Sequence, residues 1–245
     1  MYRSASVLLF ASILFLADVS WAHAQDRTQE TREVVSFTEV ALSMPGTLHL
    51  RQGTPRSVDV KAPADVLKHV ETTVENGTLK IRDERAPAGF LESLFGGGGA
   101  ETEEEIEAYV TVPTVEGVSL AGAGTVVGET PIEASSLDLR SAGSGDMQLA
   151  IRVQELEVES AGASTFDLKG TADEVAVAGA GAGTVEAIDL TTKTAEVEVA
   201  GAGDVRLHVT DRLSVDIIGA GDIEHRGSPD IETNIIGSGE VRSVE

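Results

Sequence analysis

The chain has 245 residues, 41% of them hydrophobic, 4% aromatic and none cysteine, and its 41 acids against 18 bases give a formal net charge of −23. That length holds one large domain or two small ones, with a core of Val, Ile, Leu and Ala rather than rings. So acidic a surface repels nucleic-acid phosphates and anionic lipid head groups, which removes both as expected partners, and it suits solubility, cation association or basic partners.

The first residues carry an export signature. Arg3 precedes the apolar stretch VLLFASILFLA from Val7 to Ala17, and Ala22-His23-Ala24 supplies the small-x-small pattern that signal peptidase reads. The apolar run falls short of the roughly 20 residues that span a bilayer. Residues 1–24 are therefore expected to be a cleaved signal peptide, leaving no integral membrane segment and a chain that starts at Gln25. Without cysteine there are no disulfides and no lipoprotein anchor, so the expected location is the periplasm or the cell exterior.

Residues 25–33 (QDRTQETRE) read as a polar, flexible lead-in. From 34 to 113 the pattern alternates as strands do, in TLHLRQG, SVDVKA and IEAYVTVP. Asn76-Gly77 between VETTV and TLKIR is a hairpin signal, because both residues tolerate positive φ. This part is expected to be a small, mostly antiparallel β unit. Residues 84–105 interrupt it with four successive glycines and an acidic run, the composition of a flexible insert. Phe90, Leu91, Leu94 and Phe95 lie at helical spacing within it, enough for one amphipathic turn or for a loop folding back on the body.

From 114 to 245 the chain is a tandem repeat. Its marker is the first glycine of each Gly-x-Gly: Gly122, Gly143, Gly162, Gly181, Gly201, Gly219 and Gly237, at intervals of 21, 19, 19, 20, 18 and 18 residues. The third copy is imperfect, with Ser164 in place of the second glycine. Four residues after the marker every copy is apolar, and four before it only Thr233 breaks the column. Six before it, Glu116 is the exception.

A unit of about 20 residues cannot bury an apolar face alone, but stacked units share one core. At about 3.3 Å per residue each unit holds two or three short strands with corners. The expected fold is all-β: a parallel β-helix, or β-solenoid, of about seven coils, preceded by the small β unit. The glycines become coil corners, where a neighbouring coil leaves no room for a side chain. A nucleotide loop is excluded, since a strand rather than a helix follows each glycine pair and no GxxxxGK[ST] occurs.

Three residues after the marker stand Thr125, Asp146, Thr165, Thr184, Asp204, Asp222 and Glu240. Stacking makes Asp204, Asp222 and Glu240 an acidic column with steps of about 5 Å, the one candidate metal site, for calcium. The competing reading is that these side chains cap the corners by bonding to backbone. No other cofactor is implied. His49, His69, His208 and His225 are dispersed, and no HExxH or GxSxG occurs, so no catalytic residues are assigned and the chain reads as non-enzymatic. Polysaccharide lyases also use β-helices, which keeps a glycan-active enzyme as an alternative.

FTEVALSMPGTLHLRQG, VENGTLKIRDE, IEAYVTVPTVEGVSLAGAGTV and GAGDIEHRGSPDIETNIIGSGEV together resemble the head GIN domain family, bacterial proteins described as putative auto-transporter adhesins. The resemblance covers about residues 34–243 and implies β-helix-like coils and adhesion, with no catalytic residues. The repeat reaches Val241, so any passage to the surface is expected to use separate machinery rather than a barrel of the chain's own. The expected function is an exported binding or adhesion module, with an envelope protein or glycan as partner. The alternative is a self-assembling scaffold, a homo-oligomer built through open coil ends.

Overall fold

A computed structural model describes residues 27–85 and 106–244, so the expected signal peptide and most of the acidic insert lie outside the described residues. Among the described residues, seventeen strands form one continuous sheet that winds into a solenoid. The coils from the first Gly-x-Gly onward comprise β8 (Gly117–Gly122), β9 (Thr125–Gly128), β10 (Ile132–Gly143), β11 (Asp146–Gly162), β12 (Thr165–Gly181), β13 (Thr184–Gly201), β14 (Asp204–Gly219), β15 (Ile223–Arg226), β16 (Asp230–Gly237) and β17 (Val241–Ser243). Each pairs in parallel with its neighbours, and every marker glycine sits beside the next: Gly122 with Gly143, Gly143 with Gly162, and so on to Gly237. The expected parallel solenoid is the observed fold.

Each coil has two runs. One follows the glycine corner, the other precedes the next, and a second corner separates them. At that second corner the alternation slips, with Gln154 and Glu155 both exposed, and the pairing skips from Val153–Ala172 to Glu155–Glu174. Lys193 bridges to Asp173 there at 2.7 Å. The apolar columns point inward as expected: Leu139, Val158, Val177, Val197 and Val215 before the glycine, and Val126, Met147, Phe166, Val185, Val205 and Ile223 after it, are all buried. Each such side chain contributes about 1.5–3 kcal/mol on leaving water.

The glycine corners are held by backbone. Ala182 N–H donates to Gly162 O at 2.8 Å and Ala202 N–H to Gly181 O at 2.8 Å. At Gly181, φ is +126° and a Cβ would lie 2.3 Å from Gly162 O, in the space that carbonyl needs to meet Ala182. The imperfect third copy has a packing reason. The residue two after a marker shares its volume with the residue two before the preceding marker, so Gly145 lies against Leu120 and Gly221 against Val199. Ser164 faces the small Ser141 instead; the hydroxyls meet at 2.6 Å and Ser164 is fully buried.

The N-terminal part departs from expectation in two ways. It comprises β1 (Arg27–Thr31), β2 (Glu39–Ser43), β3 (Thr47–Gln52), β4 (Ser57–Pro63), α1 (Ala64–Leu67), β5 (Val70–Glu75), β6 (Thr78–Asp83) and β7 (Glu107–Val112). Antiparallel pairing is present, in β5–β6, β4–β7 and β1–β4. The hairpin turn falls at Asn76 (φ 52°) and Gly77 (φ 85°), as the sequence indicates. However, β2 and β3 join the solenoid in parallel, against β8 and β9 on one side and β6 and β7 on the other. The segment is thus mixed rather than mostly antiparallel, and it extends the solenoid. The reason is the corner Met44-Pro45-Gly46, which matches Gly122-Ala123-Gly124 in length, and Thr125 N–H donates to Gly46 O at 2.8 Å. The strands on either side of the insert in the sequence, β6 and β7, pair with β2 and β3 respectively.

Residues 27–31, expected within the flexible lead-in, are a strand. Their backbone completes the edge of β4, the Thr31 hydroxyl donates to Asp59 at 2.5 Å, and polar side chains suit an edge exposed throughout. Between β4 and β5 the chain crosses the coil end through α1, which buries Val66 and Leu67. The other end is uncovered among the described residues. Every residue of β16 is exposed, and Ile231 and Ile235 are 46% and 38% accessible where their counterparts Leu213 and Ile217 are buried.

Candidate functional site

The outward columns of the run before each glycine form a hollowed face. Immediately before the marker stand Ala121, Ala142, Ala161, Ala180 and Ala200, then Ile218 and Ile236. Strand alternation turns this column outward, and methyl groups leave it lower than its surroundings. Two residues further back are Arg140, Glu159, Ala178, Glu198 and Asp216. These two columns bound a groove of about 780 Å³. A second hollow of about 660 Å³ lies beside it on the same run, lined by Glu155, Glu157, Glu174, Glu196, Arg212 and Glu232 among others.

The two hollows meet on β12. Its outward residues Ala176, Ala178 and Ala180 are all exposed alanines. In register, Ala176 lies between Glu157 and Glu196, and Ala178 between Glu159 and Glu198. Arg140 gathers one side of the face, donating to Glu159 at 2.8 Å with Asp138 at 3.4 Å and Glu157 at 3.9 Å. The Glu159 carboxylate holds the Arg140 guanidinium above its ordinary pKa.

On the other run, the residues five after the last four markers form an alternating ladder. Arg206 bridges Glu186 at 3.1 Å and Glu224 at 2.6 Å, and Arg242 pairs with Glu224 on its far side. Hydrogen bonding to Arg242, then to Arg206, keeps the Glu224 carboxyl below its usual range. Lys80, Arg85 and Lys61 do the same for Glu75, Asp83 and Glu107. Apart from Asp83–Arg85 at the end of β6, these ion pairs join neighbouring strands.

The acidic column is placed as the sequence puts it, with Asp204 paired to Thr184 and one coil separating Asp204, Asp222 and Glu240. Asp222 N–H donates to Asp204 Oδ1 at 3.3 Å, and Glu240 N–H to Asp222 Oδ1 at 3.2 Å. The Asp204 and Asp222 carboxylates therefore serve the backbone of the next coil, and among the described residues no three His, Cys, Asp or Glu side chains converge as a metal needs. Nor are the histidines brought together. His49 stacks on Tyr109 at 4.5 Å, His208 meets Thr191, and His225 is buried in an inward column. The grooved face itself went unread in the sequence, although its signal was present: an alanine precedes five of the seven marker glycines.

The family model described as putative auto-transporter adhesin, head GIN domain, matches residues 36–229. The chain belongs to this family. A putative adhesin from Bacteroides fragilis superposes with a TM-score of 0.80 at 22% identity, covering 90% of this chain and 98% of that one. A protein described as a putative lipid binding protein from Parabacteroides distasonis gives 0.71 at 20% identity, over 89% and 97%. A putative adhesin from the same organism gives 0.67 at 19%, over 90% and 98%. At these identities the likeness shows a shared fold. No curated protein matches the chain. Among the described residues, no helix is long and apolar enough to cross a membrane.

Proposed function

We propose that this head GIN domain protein is an exported, non-catalytic binding module of the cell envelope or cell exterior, engaging its partner through the grooved face. The observation that carries the reading is the pair of adjoining hollows on one run of the solenoid, about 780 and 660 Å³. Rigid parallel sheet surrounds them, so a ligand meets a preformed surface with little ordering cost. The adhesin descriptions of the family and its structural neighbours support the same reading. The export signature supplies the compartment, and a fold of stacked columns supplies length rather than a single enclosed pocket. The test is retention of envelope components on the immobilised chain. Retention that Ala178→Trp abolishes supports the face as the binding surface, and retention indifferent to it refutes that assignment.

A second reading rests on the uncovered coil end. Among the described residues β16 offers an unpaired edge with Ile231 and Ile235 exposed, the template on which a second copy would continue the sheet. Light scattering decides it: mass that rises with concentration supports assembly, and Ile235→Lys then returns the monomer.

A further inference from the structure

We propose that the trench along β12 binds an extended, polybasic polypeptide segment lying parallel to that strand. The inference rests on the grooved face as binding surface and names the chemistry of its occupant. Three observations combine. The floor is low and apolar, because Ala176, Ala178 and Ala180 present only methyl groups. Both walls carry carboxylates in register with Ala176 and Ala178, Glu157 and Glu159 from β11 and Glu196 and Glu198 from β13. The two hollows adjoin along β12, since Ala176 lines one and Ala178 and Ala180 line the other.

The spacings select the occupant. The walls stand two inter-strand steps apart, roughly 10 Å, which admits one extended backbone with side chains reaching to either side. Along the strand, successive wall carboxylates are two residues apart, about 6.6 Å, the repeat of alternate side chains in an extended peptide. Two basic side chains at alternate positions therefore each meet a carboxylate pair, one beside Ala176 and one beside Ala178. The stems of those side chains lie over the alanine methyls while the cations reach the walls.

Charge agrees. Arg140 engages Glu157 and Glu159 on one wall, whereas Glu196 and Glu198 on the other form no ion pair among the described residues, so the trench is negative within a protein of net charge −23. A helix is too wide for this trench, at about 10–12 Å with its side chains. An anionic lipid or glycan would place its charge against the walls.

Fluorescence anisotropy with a dye-labelled octapeptide alternating lysine and serine tests the proposal. The expected result is saturable binding that weakens about tenfold or more in Glu196→Gln/Glu198→Gln, where the wall charge is removed. Ala178→Trp fills the trench without changing charge, and the same loss is expected there. Asp167→Asn/Glu186→Gln removes two charges from the other run and leaves the affinity within about twofold. Absence of binding overturns the proposal, as does binding that Ala178→Trp leaves intact, which is attraction of charge without a groove. A chitosan oligomer that binds where the peptide does not also overturns it. If the peptide fails while Ala178→Trp still abolishes envelope retention, the partner class falls and the face remains. If envelope retention ignores Ala178→Trp, the binding face itself falls.

Discussion

Replacing Gly181 by alanine isolates the force that shapes every coil. At φ +126° the residue occupies backbone space that side chains rarely adopt, and its new Cβ would lie 2.3 Å from Gly162 O. Such a conformation costs about 1–3 kcal/mol for a residue with a side chain. Relief requires the corner to open, which breaks the 2.8 Å bond from Ala182 N–H to Gly162 O. An orphaned carbonyl adds about 1–3 kcal/mol. Gly122 provides the internal control: its φ is +99°, but a Cβ there meets nothing within 4 Å. It bears the conformational cost alone. Urea unfolding followed by circular dichroism is expected to place Gly181→Ala about 1–3 kcal/mol below Gly122→Ala, and both below the unsubstituted protein. Equal losses for the two variants would refute the argument that the corners are set by contact between coils.

Other perturbations read other parts of the structure. Gly179 has room for a methyl group, its nearest neighbour being Glu198 O at 3.8 Å, so Gly179→Ala is expected to stabilise by about 0.5–1 kcal/mol in thermal unfolding. Gly203→Ala, whose Cβ would meet Gly183 O at 2.8 Å, is expected to destabilise. His225 is buried with Nδ1 unpartnered among the described residues, and burial lowers its pKa below 6.5, so the unfolded chain takes up its proton first on acidification. That contribution is intact above pH 6.5 and is lost as pH falls from there toward the depressed folded value, so His225→Leu should show a shallower decline across this window. Asp222→Ala removes the acceptor for Glu240 N–H and should lower stability by about 1 kcal/mol, whereas Asp222→Asn retains it. If the acidic column serves the backbone alone, melting temperatures in calcium and in chelator coincide; a rise with calcium that Asp204→Asn removes would make it a calcium site.

The solenoid could be read from the sequence because its signals are local and repeated. The period, the inward columns and the glycine corners each depend on spacing within one coil, and Thr233, the exception four before the marker, falls in β16 where no further described coil covers it. The N-terminal coil layer was hidden for the opposite reason. Met44-Pro45-Gly46 turns the same corner without a Gly-x-Gly, and β2 and β3 stack between β6 and β7 and β8 and β9, out of chain order. The strand at 27–31 is polar throughout and takes its structure from the edge of β4, which no pattern within it reveals. The trench was hidden because exposed alanines and glutamates look like an ordinary solvated strand until register sets Glu157 and Glu196 on either side of Ala176.

A photo-crosslinking residue placed at Ala180, in the groove, or at Asp167, on the other run, tests the binding face most directly in intact cells. The grooved face predicts adducts from position 180 that the Glu196→Gln/Glu198→Gln background reduces, and few or none from position 167. Adducts of equal yield from both positions, or from 167 alone, would contradict it.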